Sequence, residues 1–369
     1  MQVVCEGLTL AAAAQTVSKA ISAKSADPVL EGIKIIAEND TLTLSATNLE
    51  IGIEKTIKAQ VKEDGEAVIH GRSFSEFIKK LSGEQITLTL NESNQLRINY
   101  TDSESYIQCL NSLEFPNLNK VDDGQYFVIS QNNLKTLINK SIFAVAIDDS
   151  RPILKGVLLE IEQESIRAIA LDGFRLALIK KPIKQTTART SIIVPAKSLA
   201  EISKILEDSD EEIKVYIQKN FLMVDLFDTK IITRLIDGDF INYSQIIPKD
   251  FTTMITINKL QLEDAIDRTS VFSRIDRNNL VKFDIKEKVL TLTSTSDIGN
   301  TKENIALSLK GKDLVIAFNA RYFTESLRTV NQEFVNISFN MPSSPCIITP
   351  PEGDEYIYLI LPVRIMAPN

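Results

Sequence analysis

One ten-residue pattern is written three times in this 369-residue chain. It reads Arg72-Ser-Phe-Ser-Glu-Phe-Ile-Lys-Lys-Leu81, then Lys197-Ser-Leu-Ala-Glu-Ile-Ser-Lys-Ile-Leu206, then Arg321-Tyr-Phe-Thr-Glu-Ser-Leu-Arg-Thr-Val330. Aligned on Glu76, Glu201 and Glu325, the copies lie 125 and 124 residues apart. Each has a cation four residues before the Glu (Arg72, Lys197, Arg321) and another three after it (Lys79, Lys204, Arg328). At helical pitch these positions share one stripe. Phe74, Phe77 and Leu81, like Leu199, Ile202 and Leu206, fall on the other face. The spacing predicts three amphipathic helices, each packed through one side and basic on the other. Three such helices at one interval mean three copies of one domain.

The expected limits are 1–122, 123–250 and 251–369, each a common domain size. Apolar residues at 44% and charged residues at 24% are those of an ordinary soluble globular protein. No apolar run approaches the ~20 residues that span a bilayer. The opening residues lack the basic start and apolar core of a signal peptide. Cys5, Cys109 and Cys346, an odd number without a CxxC pair, read as buried thiols of a reducing compartment. A cytoplasmic location is expected. The formal charge of −8 argues against nucleic acid, yet the three patterned segments hold seven cations to three Glu. An acidic body with basic stripes suits a protein that turns one face to a polyanion.

In the first domain, alternation predicts a strand over Gln2 to Cys5, a helix over Leu8 to Ser22, and strands over Gly32–Ala37, Thr41–Ser45, Ile51–Val61 and Ala67–Ile69. The patterned helix comes next, then strands over Gln85–Leu90, Leu96–Tyr100 and Ser105–Leu110. Strand, helix, three strands thus occurs twice per domain. In the second domain a helix over Gln131–Val145 precedes strands at Gly156–Ile161, Ile166–Leu171 and Ser191–Val194. After the patterned helix come Ile213–Gln218, Leu222–Phe227 and Ile231–Ile236. The third brings a helix over Leu260–Phe272 and strands at Leu280–Ile285, Leu290–Ser294, Phe334–Phe339, Cys346–Thr349 and Tyr356–Leu361. Asn48, Asp172 and Asp297 recur 124 and 125 apart, and Phe115-Pro-Asn-Leu118 returns loosely as Phe240-Ile-Asn-Tyr243. The expected class is α+β, with the helices on one face of antiparallel sheets.

Catalytic constellations are scarce. His70 is the only histidine, and the 13 glycines form no phosphate loop. The acids Asp148-Asp149 and Asp208 to Glu212 read as solvated loops, so no metal or cofactor is expected. Trp is absent and no aromatic-interleaved basic patch occurs, so any DNA contact is backbone electrostatics without sequence readout. Asp172-Gly-Phe-Arg-Leu-Ala177 reads as a tight turn leading into a strand, and Leu361-Pro-Val-Arg364 as the end of a final edge strand.

These residues resemble the bacterial sliding-clamp family, the beta subunits of DNA polymerase III. Three tandem domains, a D-G-x-R-L-A string at Asp172 to Ala177 and a terminal Y-L-I-L-P-V-R at Tyr358 to Arg364 carry the resemblance, which spans the whole chain. It implies a head-to-tail homodimer whose six domains close into a ring around duplex DNA, helices inward. Pore residues would be Lys24, Arg72, Lys79, Lys80, Lys197, Lys204, Arg321 and Arg328. It also implies a pocket for linear peptides of the polymerase, clamp loader and repair proteins, including translesion polymerases. Its wall would be Leu154, Gly173, Phe174, Arg175, Leu176, Pro248, Tyr322, Leu361, Pro362, Val363 and Arg364, with two arginines at the rim. Leu171 stands where the family usually has threonine. Tyr106 and Phe272 match dimer-contact positions, and Met366 to Asn369 extend past the usual end. The rival reading is a soluble repeat scaffold that binds peptides and never meets DNA.

Overall fold

The computed structural model describes every residue except 23, 82, 84, 119–120, 122–123, 149, 276–278 and 365–369. The first repeat runs β1 (Gln2–Glu6), α1 (Gly7–Val17), β2 (Gly32–Glu38), β3 (Thr41–Thr47), β4 (Ile51–Lys58), β5 (Gln60–Glu63) and β6 (Gly65–His70). It closes with α2 (Gly71–Ile78), β7 (Gln85–Leu90), β8 (Gln95–Tyr100) and β9 (Ser103–Leu110). The second holds β10 (Gln125–Ser130), α3 (Gln131–Ser141), β11 (Gly156–Ile161), β12 (Ser165–Leu171), β13 (Arg175–Pro182), β14 (Gln185–Thr186) and β15 (Thr190–Pro195). Then come α4 (Ala196–Ile205), β16 (Glu212–Gln218), β17 (Phe221–Asp225) and β18 (Thr229–Arg234). The third holds β19 (Thr253–Asn258), α5 (Lys259–Ile275), β20 (Leu280–Lys286), β21 (Val289–Ser296), β22 (Gly299–Gly311) and β23 (Leu314–Asn319). It ends with α6 (Ala320–Arg328), β24 (Phe334–Phe339), β25 (Cys346–Thr349) and β26 (Tyr356–Ile360).

The α+β expectation holds, with differences at several ends. The first helix stops at Val17 and tightens into a 3-10 turn over Ser18–Ala20, where Ser18 Oγ turns back on the Ala14 carbonyl at 2.6 Å. The helix predicted to Val145 ends at Ser141 in the same way, its Oγ bonding the Leu137 carbonyl at 2.7 Å. The strand predicted over Ile51–Val61 divides into β4 and β5. Strands β10, β14, β19, β22 and β23 have no counterpart in the sequence reading. The junction expected near Asn119 to Gln125 and the tail Met366 to Asn369 fall largely or wholly on residues outside those described.

The chain clusters into two compact units that cut across the repeats. One comprises Met1–Asn132, Lys184–Ala188 and Lys197–Leu235; the other Asn133–Ile183, Arg189–Ala196 and Ile236–Asn369. The cut follows the hydrogen bonding, because each sheet runs through a joint between repeats. In the first unit the order is β14-β10-β16-β17-β18-β4-β3-β2-β6-β9-β8-β7-β1-β5, and β18 of the second repeat pairs antiparallel with β4 of the first. In the second unit the order is β15-β11-β12-β13-β26-β25-β24-β19-β22-β21-β20-β23, and β13 pairs antiparallel with β26.

The repeated helices pack as their periodicity requires. Phe74 and Ile78 of α2, Leu199 and Ile202 of α4, and Phe323 and Leu327 of α6 are buried, each contributing about 2 kcal/mol by removal from water. Phe77 and Leu81 are only half-buried. The single histidine is structural: His70 caps α2, its Nδ1 facing the Ser73 amide at 3.5 Å. Asn319 caps α6 in the same place, accepting from the Arg321 amide at 3.0 Å.

Repeat equivalence is visible in the hairpins. Asn48 Oδ1 accepts from the Glu50 and Ile51 amides at 3.0 and 2.9 Å. Asp172 Oδ1 accepts from the Phe174 and Arg175 amides at 2.8 and 3.0 Å. In the third repeat the hairpin closes on Ser296 opposite Gly299, so Ser296 holds this place and Asp297 lies one residue on.

Candidate functional site

The basic stripes differ from one copy to the next. On α2 and the turn after it, Arg72, Lys79 and Lys80 are exposed, and among the described residues none forms an ion pair. On α4, Lys197 is likewise exposed and unpaired among the described residues, whereas Lys204 Nζ reaches Glu201 at 2.7 Å. Lys204 also edges a crevice of about 480 Å³ shared with Lys19 of the turn after α1 and with Lys55. On α6, Arg321 Nε meets Glu325 at 2.6 Å, and Arg328 lies 3.5 Å from both Glu263 and Asp267. Both arginines remain 60% exposed at the side chain, but their charge is partly answered within the protein. Lys24 is exposed in the bend after α1.

The residues expected to wall a peptide pocket lie within the second unit, where the turn between β12 and β13 meets α6 and the end of β26. Leu154 and Leu176 belong to one buried apolar cluster, with Leu361 and Ile247 packed against it; Pro248 next to Ile247 is half-buried. Gly173 takes φ +92°, which gives the turn its bend and leaves Phe174 standing 58% exposed. The Phe174 ring stacks on Tyr322 at 6.1 Å and 19°. The chain end is tied down by backbone bonds, Leu361 N to the Phe174 carbonyl and Val363 N to the Ala317 carbonyl, each 2.8 Å. Leu361 and Pro362 are half-buried, while Val363 and Arg364 are exposed. These contacts form an apolar shelf with a polar edge.

Arg175 is not at the rim. Its side chain is 4% exposed and its donors are occupied: Nε on Asp172 at 3.1 Å, Nη1 on Glu325 and Nη2 on the Phe143 carbonyl. The guanidinium lies 4.8 Å from the Tyr322 ring centre and 5.2 Å from that of Phe143. Burial alone would raise the Glu325 carboxyl, but hydrogen bonds and charge from Arg321 and Arg175 outweigh it and hold it below its ordinary value. Arg175 therefore braces the shelf from beneath and leaves Arg364 as the arginine at its edge.

Tyr106 is exposed on β9. Phe272 of α5 is half-buried, with ring atoms 2.9 Å from where a Cβ on Gly299 would stand. Of the acid pair Asp148-Asp149 only Asp148 is described, and its carboxylate is engaged by the Ser150 amide at 3.0 Å. Among the described residues no helix is long and apolar enough to cross a membrane.

Models of three domains of one family match in tandem: the N-terminal, central and C-terminal domains of the DNA polymerase III beta subunit, over residues 1–119, 128–242 and 244–364. The chain belongs to the DNA polymerase III beta subunit family. A beta sliding clamp of Staphylococcus epidermidis is 33% identical over 356 residues, 94% of each chain. The DNA polymerase sliding clamp of Bacillus subtilis superimposes with a TM-score of 0.96 at 30% identity, over 99% of this chain and 100% of that one. The DNA polymerase III beta chain of Streptococcus pneumoniae gives 0.95 at 28% identity over the same shares.

Within this beta-subunit fold, the sequence did not reveal Phe143 and Glu325 as parts of the shelf. A signal for Glu325 was present: it recurs in all three copies of the helix, although only here does a buried arginine await it.

Proposed function

We propose that the protein is a DNA sliding clamp, a non-catalytic processivity factor that closes around duplex DNA as a homodimer and tethers polymerase III and the clamp loader. Domain limits at 1–122, 123–250 and 251–369 suit the strand order, since β10 opens the second repeat at Gln125 and β19 the third at Thr253. The exposed cations of α2, α4 and α6, with Lys24, meet the phosphates without reading sequence. The Phe174–Tyr322 shelf takes linear peptides, including those of repair and translesion polymerases. A cytoplasmic location is part of this reading.

The observation that carries the dimer is a matched pair of open strand edges. Residues 103–108 of β9 pair only with β8, and residues 299–306 of β22 only with β21, among the described residues. The two joints already in the chain give the register. Leu110, Ile236 and Val363 occupy equivalent places, each bonded to the strand before a repeated helix at Val68, Ile193 and Ala317. Three residues earlier stand Ile107, Thr233 and Ile360. Ile51, Arg175 and Gly299 each open the strand after an equivalent turn. Thr233 faces Ile51 and Ile360 faces Arg175. The same rule sets Gly299 against Ile107 of the partner subunit, Asn300 against Tyr106 of the partner subunit, and Lys302 against Glu104 of the partner subunit. Tyr106 and Phe272 both border this joint, and the pairing would cover two otherwise bare edges.

The test is to load the protein onto nicked circular DNA with a clamp loader and then to linearise the circle. A clamp is retained on the circle and runs off the ends. A peptide-binding scaffold shows no loader-dependent retention.

A further inference from the structure

Glu325 holds a different arginine on each carboxylate oxygen. Oε1 accepts from Arg321 Nε at 2.6 Å, and Oε2 accepts from Arg175 Nη1. The two partners live in unlike surroundings. Arg321 is exposed and edges a crevice of about 350 Å³ between α5 and α6, together with Arg328. Arg175 is buried beneath the aromatic shelf, against Tyr322, which in turn stacks on Phe174. One carboxylate thus joins a solvent-facing cation to the floor of an apolar site.

The other two copies of the helix have no such link. Glu76 is exposed and, among the described residues, forms no ion pair, and Glu201 meets only Lys204 of its own helix. The residue equivalent to Arg175 in the first repeat is Ile51, which has no charge to offer.

We propose that Glu325 couples polyanion binding at the basic stripe of α6 to the packing of the Phe174–Tyr322 shelf. A phosphate that draws Arg321 off Oε1 leaves the carboxylate to Arg175 alone. Two cations sharing one carboxylate each weaken the other's hold, so withdrawal of the exposed one tightens the buried bond. Arg175 then presses its planar group more firmly on the Tyr322 ring, and the shelf stiffens. By linkage, whatever the shelf binds alters affinity at Arg321 by the same factor. The inference rests on the reading that α6 faces DNA.

Because the chain has no tryptophan, Phe174→Trp places a single indole on the shelf. A short fluorescein-labelled duplex is titrated into this variant at low salt, with anisotropy reporting binding and indole emission reporting the shelf. The emission maximum is expected to shift in step with anisotropy. Adding Glu325→Gln, which keeps the shape and removes the charge, should leave duplex binding measurable and the emission still. Adding Arg321→Gln should give, without DNA, the emission that the parent reaches at saturation. Duplex binding with no emission change, or an equal change in the Glu325→Gln background, overturns the coupling. If the duplex binds to none of the variants, the DNA reading fails. The Arg321→Gln emission then decides alone whether the stripe and the shelf communicate: a shift supports the link and no shift overturns it.

Discussion

Glu54 on β4 lies directly opposite Lys230 on β18, in the strand pair that carries the sheet of the first repeat into that of the second. The proposed contact between subunits repeats this pairing with the signs exchanged, Lys302 against Glu104 of the partner subunit. Opposite charges across a strand pair stabilise by up to about 1 kcal/mol and like charges cost a similar amount. A dimer would hold two such joints. Lys302→Glu or Glu104→Lys alone is therefore expected to weaken dimerisation about tenfold or more, and the double exchange to restore it. Sedimentation equilibrium reads the outcome; no rescue by the double exchange would rule out this register.

Duplex binding should lose salt sensitivity unevenly along the stripes. Neutralising a cation that has no ion pair among the described residues, as in Arg72→Gln or Lys79→Gln, is expected to lower the slope of log K against log salt by about 1. Arg328→Gln should lower it by less, since Glu263 and Asp267 already answer that charge. Equal slopes for all three would remove the distinction drawn between the helices.

The acid limb of stability should carry the mark of Glu325. Its folded carboxyl sits below the ordinary 4.5, so its contribution is present above that value and disappears as pH falls through the lower, folded value. Urea midpoints measured downward from pH 5 should therefore fall more steeply for the parent than for Glu325→Gln. Parallel curves would mean that the carboxylate contributes nothing to folding.

Phe323→Ala should destabilise the second unit by about 3–5 kcal/mol, because the ring is fully buried and packs 4.9 Å from both Phe283 and Phe318. Calorimetry should show one transition lowered. The same replacement at exposed Phe334 should move it little.

The three amphipathic helices were legible because burial on one side imposes a 3.6-residue period that survives substitution. Strand β22 was not: Asn300, Thr301, Lys302, Glu303 and Asn304 precede its one well-buried residue, Ile305, and the polar run reads as loop. That polarity has a physical source, since, among the described residues, 299–306 have a neighbouring strand on one side only. Strand β19, with Thr253, Ile255 and Ile257 buried in alternation, does carry a strand period in its sequence. The shelf residues are named by likeness of motif, which does not carry the buried place of Arg175. Its burial depends on a carboxylate 150 positions further along the chain, and local pattern carries no trace of that.

The sheets do not stop where the repeats do. Wherever two repeats meet within the chain, a strand of one completes a strand of the other in a shared register, so the covalent link adds proximity and no new kind of bond. Splicing in another repeat, or cutting one away, would leave each seam chemically as it was. For the proposed ring, only the number of polypeptides needed to close it would change, which would make stoichiometry a matter of gene length and not of interface design.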